Sequence, residues 1–171
     1  EQRYSEIIDT YNRLSYEDSE NIEFYQHIAD AYFNLKDYKN IKLFYHKITE
    51  IDSLNINAYT QLGEIAIEEN NPEEAINLFL YAIKNNNNAI DLLYPLAMAY
   101  GESNLFLQSA TTLQHILKLY PENPEINYQL AIIYKEMGLH SLSISHLNKY
   151  LYFYGDDPIA FYLLGECYFK I

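Results

Sequence analysis

Enzymatic or metal chemistry in this 171-residue chain would have to rest on its histidines, its cysteine or its carboxylates. The five histidines are His27, His46, His115, His140 and His146. No two of them stand in the H-x-x-x-H spacing that turns a pair of imidazoles toward one zinc ion from a helix face. Cys167 is the only cysteine, so no disulfide can close within the chain, and its expected role is that of a small buried apolar side chain. The 24 Asp and Glu residues are spread over polar stretches, which reads as solvated surface rather than paired acid–base machinery. No G-x-x-x-x-G-K, G-x-G-x-x-G or G-x-S-x-G run is present to cradle a phosphate or expose a nucleophile. The expectation is therefore a protein that is not an enzyme, with no catalytic residues, no metal and no cofactor.

Charge and composition narrow the partners. The net charge is −13 and only two arginines occur, Arg3 and Arg13. Nucleic-acid backbones and anionic membranes attract clustered Lys and Arg, so neither is an expected partner, while a basic or apolar protein segment is. Apolar residues make up 49% of the chain, too many for disorder, and no run of 18 apolar residues offers a membrane span. Five Gly and five Pro are too few for a turn-rich β fold, which favours helices. Nineteen tyrosines and no tryptophan give a surface rich in rings that pack on one side and hydrogen-bond on the other. Neither charge nor the lone cysteine assigns a compartment.

The elements that hold these residues follow from a repeat. With Ile22, Ile56, Ile90, Pro124 and Pro158 as first residues, the chain repeats every 34 residues without insertion. The seventh place reads Ile28, Leu62, Leu96, Leu130 and Leu164, and the eighth Ala29, Gly63, Ala97, Ala131 and Gly165. The eleventh reads Tyr32, Ala66, Tyr100, Tyr134 and Tyr168. The fourth, seventh, eighth and eleventh places fall on one face of a helix. The seventeenth, twentieth, twenty-fourth and twenty-seventh places do the same for a second helix, as Ile41, Tyr45 and Ile48 or Ala75, Phe79 and Ala82 show. Tyr4, Ile7, Tyr11 and Leu14 continue that pattern backwards. Breaks fall at Lys36-Asp37, Asn70-Asn71-Pro72 and Gly138-Leu139 within units. Between units stand Asp52-Ser53, Asn85 to Asn88, Tyr120 to Asn123 and Gly155 to Pro158, residues suited to turns and helix caps. Pro95 sits about a turn inside its expected helix, so that helix either starts late, with Asp91 as its cap, or kinks.

This pattern resembles the tetratricopeptide repeat (TPR) family over essentially the whole chain. The unit from Ile56 carries Tyr59, Leu62, Gly63, Ala75, Phe79 and Ala82 at the family's positions, and the next carries Leu96, Ala97, Tyr100 and Pro121. Asn127 at the fourth place and Ser109 and Ser143 at the twentieth depart from it. The resemblance implies an all-α fold, an α-α superhelix (TPR solenoid) of about ten antiparallel helices. The expected organisation is a single solenoid over 1–171. Residues 1–21 are the second helix of a preceding repeat, 22–55, 56–89, 90–123 and 124–157 are full repeats, and 158–171 is the first helix of a further one.

The resemblance also implies a binding face. In the family the first helix of each hairpin lines a concave groove, mainly through the second, fifth, ninth, twelfth and thirteenth places. Here the fifth place supplies Tyr94, Tyr128 and Tyr162, and the other places supply Glu23, Asp30, Glu64, Asp91, Glu102, Glu125, Glu136 and Glu166. The expected function is a protein–protein interaction scaffold that holds a peptide or partner protein with basic and apolar character in an acidic, Tyr-lined groove. The alternative is a regulatory or sensor segment of a larger protein whose DNA-binding or enzymatic output domain lies elsewhere. The family's carboxylate clamp of Lys, Asn and Arg has no counterpart among these acids.

The two end helices are apolar on several sides. The last carries Ile159, Phe161, Leu163, Leu164, Cys167, Phe169 and Ile171, and the first carries Tyr4, Ile7, Ile8, Tyr11 and Leu14. Solenoid ends are usually polar on their outer face. The expectation is a native chain that continues past these residues, or copies that self-associate through the ends.

Overall fold

The structure, a computed structural model, describes residues 2–86 and 89–171. Its described residues form ten α-helices: α1 (Gln2–Glu17), α2 (Ile22–Asn34), α3 (Tyr38–Ile51), α4 (Ile56–Glu68), α5 (Pro72–Asn85), α6 (Leu93–Glu102), α7 (Phe106–Leu119), α8 (Pro124–Glu136), α9 (His140–Phe153) and α10 (Pro158–Phe169). A 3-10 helix, Ala89–Leu92, precedes α6. The fold is all-α, of the TPR solenoid class. It divides into two compact units, Glu1–Leu92 and Leu93–Ile171.

Capping explains where most helices start. The side chains of Asp37, Asn55, Asn71 and Asn123 accept hydrogen bonds from the backbone N–H three residues on, at 3.0–3.4 Å. Asp157 takes two such N–H groups, from Ile159 at 2.8 Å and Ala160 at 3.2 Å. Pro72, Pro124 and Pro158 are the first residues of their helices, where a missing N–H costs nothing. Asn85 closes α5 and Asn86 follows it, while Asn87 and Asn88 of the expected turn lie outside the described residues.

Each hairpin turns through one residue in the left-handed region. These are Lys36 (φ 56°), Asn70 (φ 57°), Asn104 (φ 59°) and Gly138 (φ 73°), all at the fifteenth place. The next residue's N–H then reaches back to the carbonyl at the eleventh place: Asp37 to Tyr32, Asn71 to Ala66, Leu105 to Tyr100 and Leu139 to Tyr134, at 2.8–3.1 Å. Carbonyls that the helix end leaves without partners are satisfied this way.

In the N-terminal unit α1 packs on α2, α2 on α3, α3 on α4 and α4 on α5. Ile28, Ile41, Ile48 and Leu62 are sealed from solvent, each worth about 1.5–3 kcal/mol of burial. Gly63 marks a close approach, because a Cβ there would lie 2.2 Å from Phe79 Cε1 of α5. In the C-terminal unit α6 packs on α7, α7 on α8, α8 on α9 and α9 on α10. Leu113, Leu130, Leu147 and Cys167 are fully buried there. The departures from the family pattern are accommodated by hydrogen bonds. Ser109 Oγ donates to the Ala97 carbonyl at 2.8 Å, and Ser143 Oγ to the Ala131 carbonyl at 2.7 Å. Asn127 is buried, and its Nδ2 donates to the Asn123 carbonyl while its Oδ1 sits 2.9 Å from His146 Nδ1.

Of the two arrangements open for Pro95, the structure adopts the late start. Helix α6 begins at Leu93, which puts Pro95 in its first turn, where the ring meets no preceding helical carbonyl. Asp91 lies inside the 3-10 helix rather than at a cap. On α10, Ile159, Phe161, Tyr162, Tyr168 and Phe169 are all more than half exposed. Gly165 has no atom within 4 Å of where its Cβ would be, although it occupies the same repeat place as Gly63.

Candidate functional site

The residues expected to meet a partner fall into two sets, one per unit. Glu23, Asp30 and Glu64 stand on α2 and α4 of the N-terminal unit, all exposed. Asp91, also exposed, ends that unit on the 3-10 helix. Glu23 lies 3.7 Å from His27 one turn along α2. Gln61 Nε2 donates to Glu64 at 3.2 Å. Partial burial, followed by the nearby Glu68, raises the Glu64 carboxyl above its ordinary range, against the lowering by Gln61.

Asp30 and Glu64 both act on Tyr45, a residue absent from the expected site. Tyr45 belongs to α3, the helix packed against both α2 and α4, and is 5% exposed. Its hydroxyl is pushed up to about 12, by burial first and then by the negative charges of Asp30 and Glu64. Nearby, the Tyr38 hydroxyl is raised chiefly by its hydrogen bond to Glu68. The cations of this unit lie elsewhere. Lys42 pairs with Glu69 at 2.8 Å and Glu74 at 3.5 Å, and Lys47 lies over the rings of Tyr25 and Phe44.

The C-terminal unit holds Tyr94 on α6, Tyr128 on α8 and Tyr162 on α10. Tyr94 is 40% exposed and Tyr162 65% exposed. Tyr128 is only partly exposed, its ring 4.8 Å from that of Tyr150 on α9. Tyr150 in turn lies 5.0 Å from Tyr154, and its hydroxyl donates to Asp157, the α10 cap, at 2.7 Å. That bond is the main reason the Tyr150 hydroxyl is pushed up to about 12. Tyr154 donates to Glu125 at 2.6 Å, which ties down one of the expected acids. Glu166 is engaged twice, by Lys135 Nζ at 2.7 Å and the Tyr162 hydroxyl at 3.1 Å, and the Lys135 bond chiefly lowers its carboxyl. Glu102 and Glu136 are exposed.

The structure thus leaves two tyrosines of the three open and draws the third into a ring cluster. The Tyr128–Tyr150–Tyr154 cluster escaped sequence reasoning because its members occupy different places of the repeat. Asp157 beside the cluster was the available hint, being the expected cap of α10. Among the described residues no group of three His, Cys, Asp or Glu is placed to hold a metal ion. No described helix is long and apolar enough to cross a membrane.

Comparison with known proteins agrees with this architecture. The family described as Tetratricopeptide repeat matches residues 22–53 and 56–88. No curated protein sequence matches the chain. Among solved structures the chain is similar to YrrB, described as "a TPR protein with an unusual peptide-binding site". The TM-score is 0.75 at 22% identity, covering 92% of this chain and 81% of that one. It is similar to MamA as well, with TM-score 0.74 at 19% identity over 84% of each chain. For MamA from Desulfovibrio magneticus RS-1 the TM-score is 0.77 at 15% identity, over 91% of this chain and 88% of the other. The 34-residue register, the stacked helical hairpins and the family match agree that this chain is a tetratricopeptide-repeat protein.

Proposed function

We propose that the protein is an interaction scaffold that holds a partner peptide or protein segment on the first-helix faces of its hairpins. The observation that carries this reading is the pair of open rings, Tyr94 and Tyr162, at the same repeat place of α6 and α10. Exposed tyrosines bind with large contact area and few rotatable bonds, so little entropy is lost when a partner covers them. The surrounding acids favour a segment with Lys or Arg beside its apolar anchors, and an arginine can stack on either ring. The YrrB likeness supports a peptide as the partner, since that protein is described with a peptide-binding site.

Selection of a displayed random-peptide library on the immobilised chain tests this. Basic peptides with apolar anchors are the expected winners. Their binding should fall at about 1 M salt, where charges are screened within about 3 Å. Binding should also fall about tenfold or more in the Tyr94→Ala, Tyr162→Ala double variant. Tyr128 is left intact because its ring packs on Tyr150. Winners without basic residues, bound equally well by the double variant, would refute the reading.

A further inference from the structure

We propose that Asp30, Glu64 and the hydroxyl of Tyr45 form a subsite on the N-terminal unit that seats the cationic end of a partner's arginine or lysine side chain. This deepens the scaffold reading and rests on it, but it names a place and a chemistry that the tyrosines of α6 and α10 do not.

The first support is what surrounds Tyr45. Its side chain is 95% buried between α2 and α4, as a 5% exposure requires. Its hydroxyl makes no hydrogen bond among the described residues. A buried hydroxyl without a partner costs roughly 1–3 kcal/mol, and the large majority of such groups are satisfied. The hydroxyl is not sealed, unlike Ser103 Oγ and His140 Nδ1, so a group arriving from outside can reach it. It faces the two carboxylates of Asp30 and Glu64.

The second support is that these carboxylates lack counter-charges. The ion pairs of this unit are His27–Glu23, Lys42–Glu69 and Lys42–Glu74, and neither Asp30 nor Glu64 takes part. In the C-terminal unit the equivalent ninth-place acid, Glu166, is already paired to Lys135.

The third support is register. Asp30 and Glu64 occupy the ninth place of consecutive hairpins, and Tyr45 the twenty-fourth place of the helix between them. The equivalent twenty-fourth places hold Phe79, Leu113 and Leu147, which have no polar atom to offer. The ninth places beyond hold Met98 and Ile132 before Glu166. Only here does the repeat bring a phenol between two acids. An ammonium or guanidinium group supplies several donors and a positive charge. It would hydrogen-bond the phenol oxygen while both carboxylates neutralise it, and such charge-assisted bonds are the strong ones.

Nuclear magnetic resonance of the whole chain, labelled with 13C in its tyrosine rings, tests the subsite. The probes are N-acetyl-argininamide, N-acetyl-lysinamide and the neutral N-acetyl-citrullinamide, with the Tyr45 signal assigned from Tyr45→Phe. The expected result is a saturable shift of the Tyr45 ring with the two cationic amides and none with citrulline. The apparent affinity should fall about tenfold in Asp30→Asn and in Glu64→Gln, both exposed positions, with helicity unchanged. Tyr45→Phe, followed through Tyr38 and Tyr59, should weaken binding about threefold or more. Equal shifts from arginine and citrulline amides would overturn the proposal, as would binding indifferent to both acids. A response of Tyr94 and Tyr162 with a silent Tyr45 would overturn the subsite and leave the scaffold reading standing. The reverse pattern would support the subsite and count against the tyrosine face.

Discussion

Replacing Gly63 and Gly165 by alanine should change stability in opposite directions, although both glycines hold the eighth place of the repeat. At Gly63 the new methyl would lie 2.2 Å from Phe79 Cε1 and 2.3 Å from Cζ. That is roughly 1 Å closer than ordinary carbon contacts permit. Phe79 is fully buried, so its ring cannot swing into solvent to make room. Overpacking of this kind costs about 1–3 kcal/mol, while exchanging glycine for alanine inside a helix returns about 1 kcal/mol. Gly63→Ala should therefore be neutral at best and destabilising by about 2 kcal/mol at worst. At Gly165 nothing stands within 4 Å, and only the gain of about 1 kcal/mol applies. The helical preference is common to both sites, so the difference between the variants measures the Phe79 clash alone, about 1–3 kcal/mol. Helical-repeat arrays need not unfold in one step. The assay is therefore amide hydrogen exchange in α4 and α10, beside urea unfolding followed by circular dichroism. Adding Phe79→Leu to Gly63→Ala should recover part of the loss. If Gly63→Ala slows exchange in α4 as much as Gly165→Ala does in α10, the close-approach argument is wrong.

Three further outcomes follow from the turns and the buried polar groups. Lys36 holds a left-handed backbone at φ 56°, so Lys36→Gly should raise the thermal midpoint by the equivalent of about 1 kcal/mol, and by more than Asn104→Gly does, since Asn tolerates this region better. A lowered midpoint for Lys36→Gly would contradict the strain assigned to that turn. Burial, and then the nearby Lys149, lower the His146 pKa below its ordinary 6.5. The unfolded chain therefore takes up this proton first, and the contribution of a neutral His146 to stability is lost as pH falls below 6.5. Urea midpoints from pH 8 to 5 should drop less steeply in His146→Gln, and parallel curves would remove His146 as the cause. Finally, Tyr150→Phe should let the Asp157 carboxyl rise toward its ordinary 3.8, because the Tyr150 hydrogen bond is the largest cause of its lowering. A carboxyl titration followed by 13C resonance reads this directly, and an unmoved Asp157 would show that the α10 backbone N–H groups hold it down instead.

The sequence by itself determined the helices, their order and most of their starts. A 34-residue period records which side of each helix is turned inward, since residues three and four apart share a face, and Asn or Asp before a helix supplies a missing acceptor. It also placed Tyr94, Tyr128 and Tyr162 on equivalent helices. What it left open was how each side chain is engaged, because spacing states a face and not a neighbour. Two tyrosines of one repeat place are open and the third packs on Tyr150, since only α9 carries a ring opposite it. Ser109 and Ser143 depart from the small apolar residue of the pattern, yet each bonds a carbonyl of the facing helix, a partner twelve residues away along the chain. Pro95 was compatible with a kink or a late start, and the 3-10 turn before α6 decided between them. Tyr45 reads in sequence as one more core aromatic. Tertiary packing made it a buried phenol between Asp30 and Glu64, because three helices separated along the chain bring their charges and the hydroxyl to one spot.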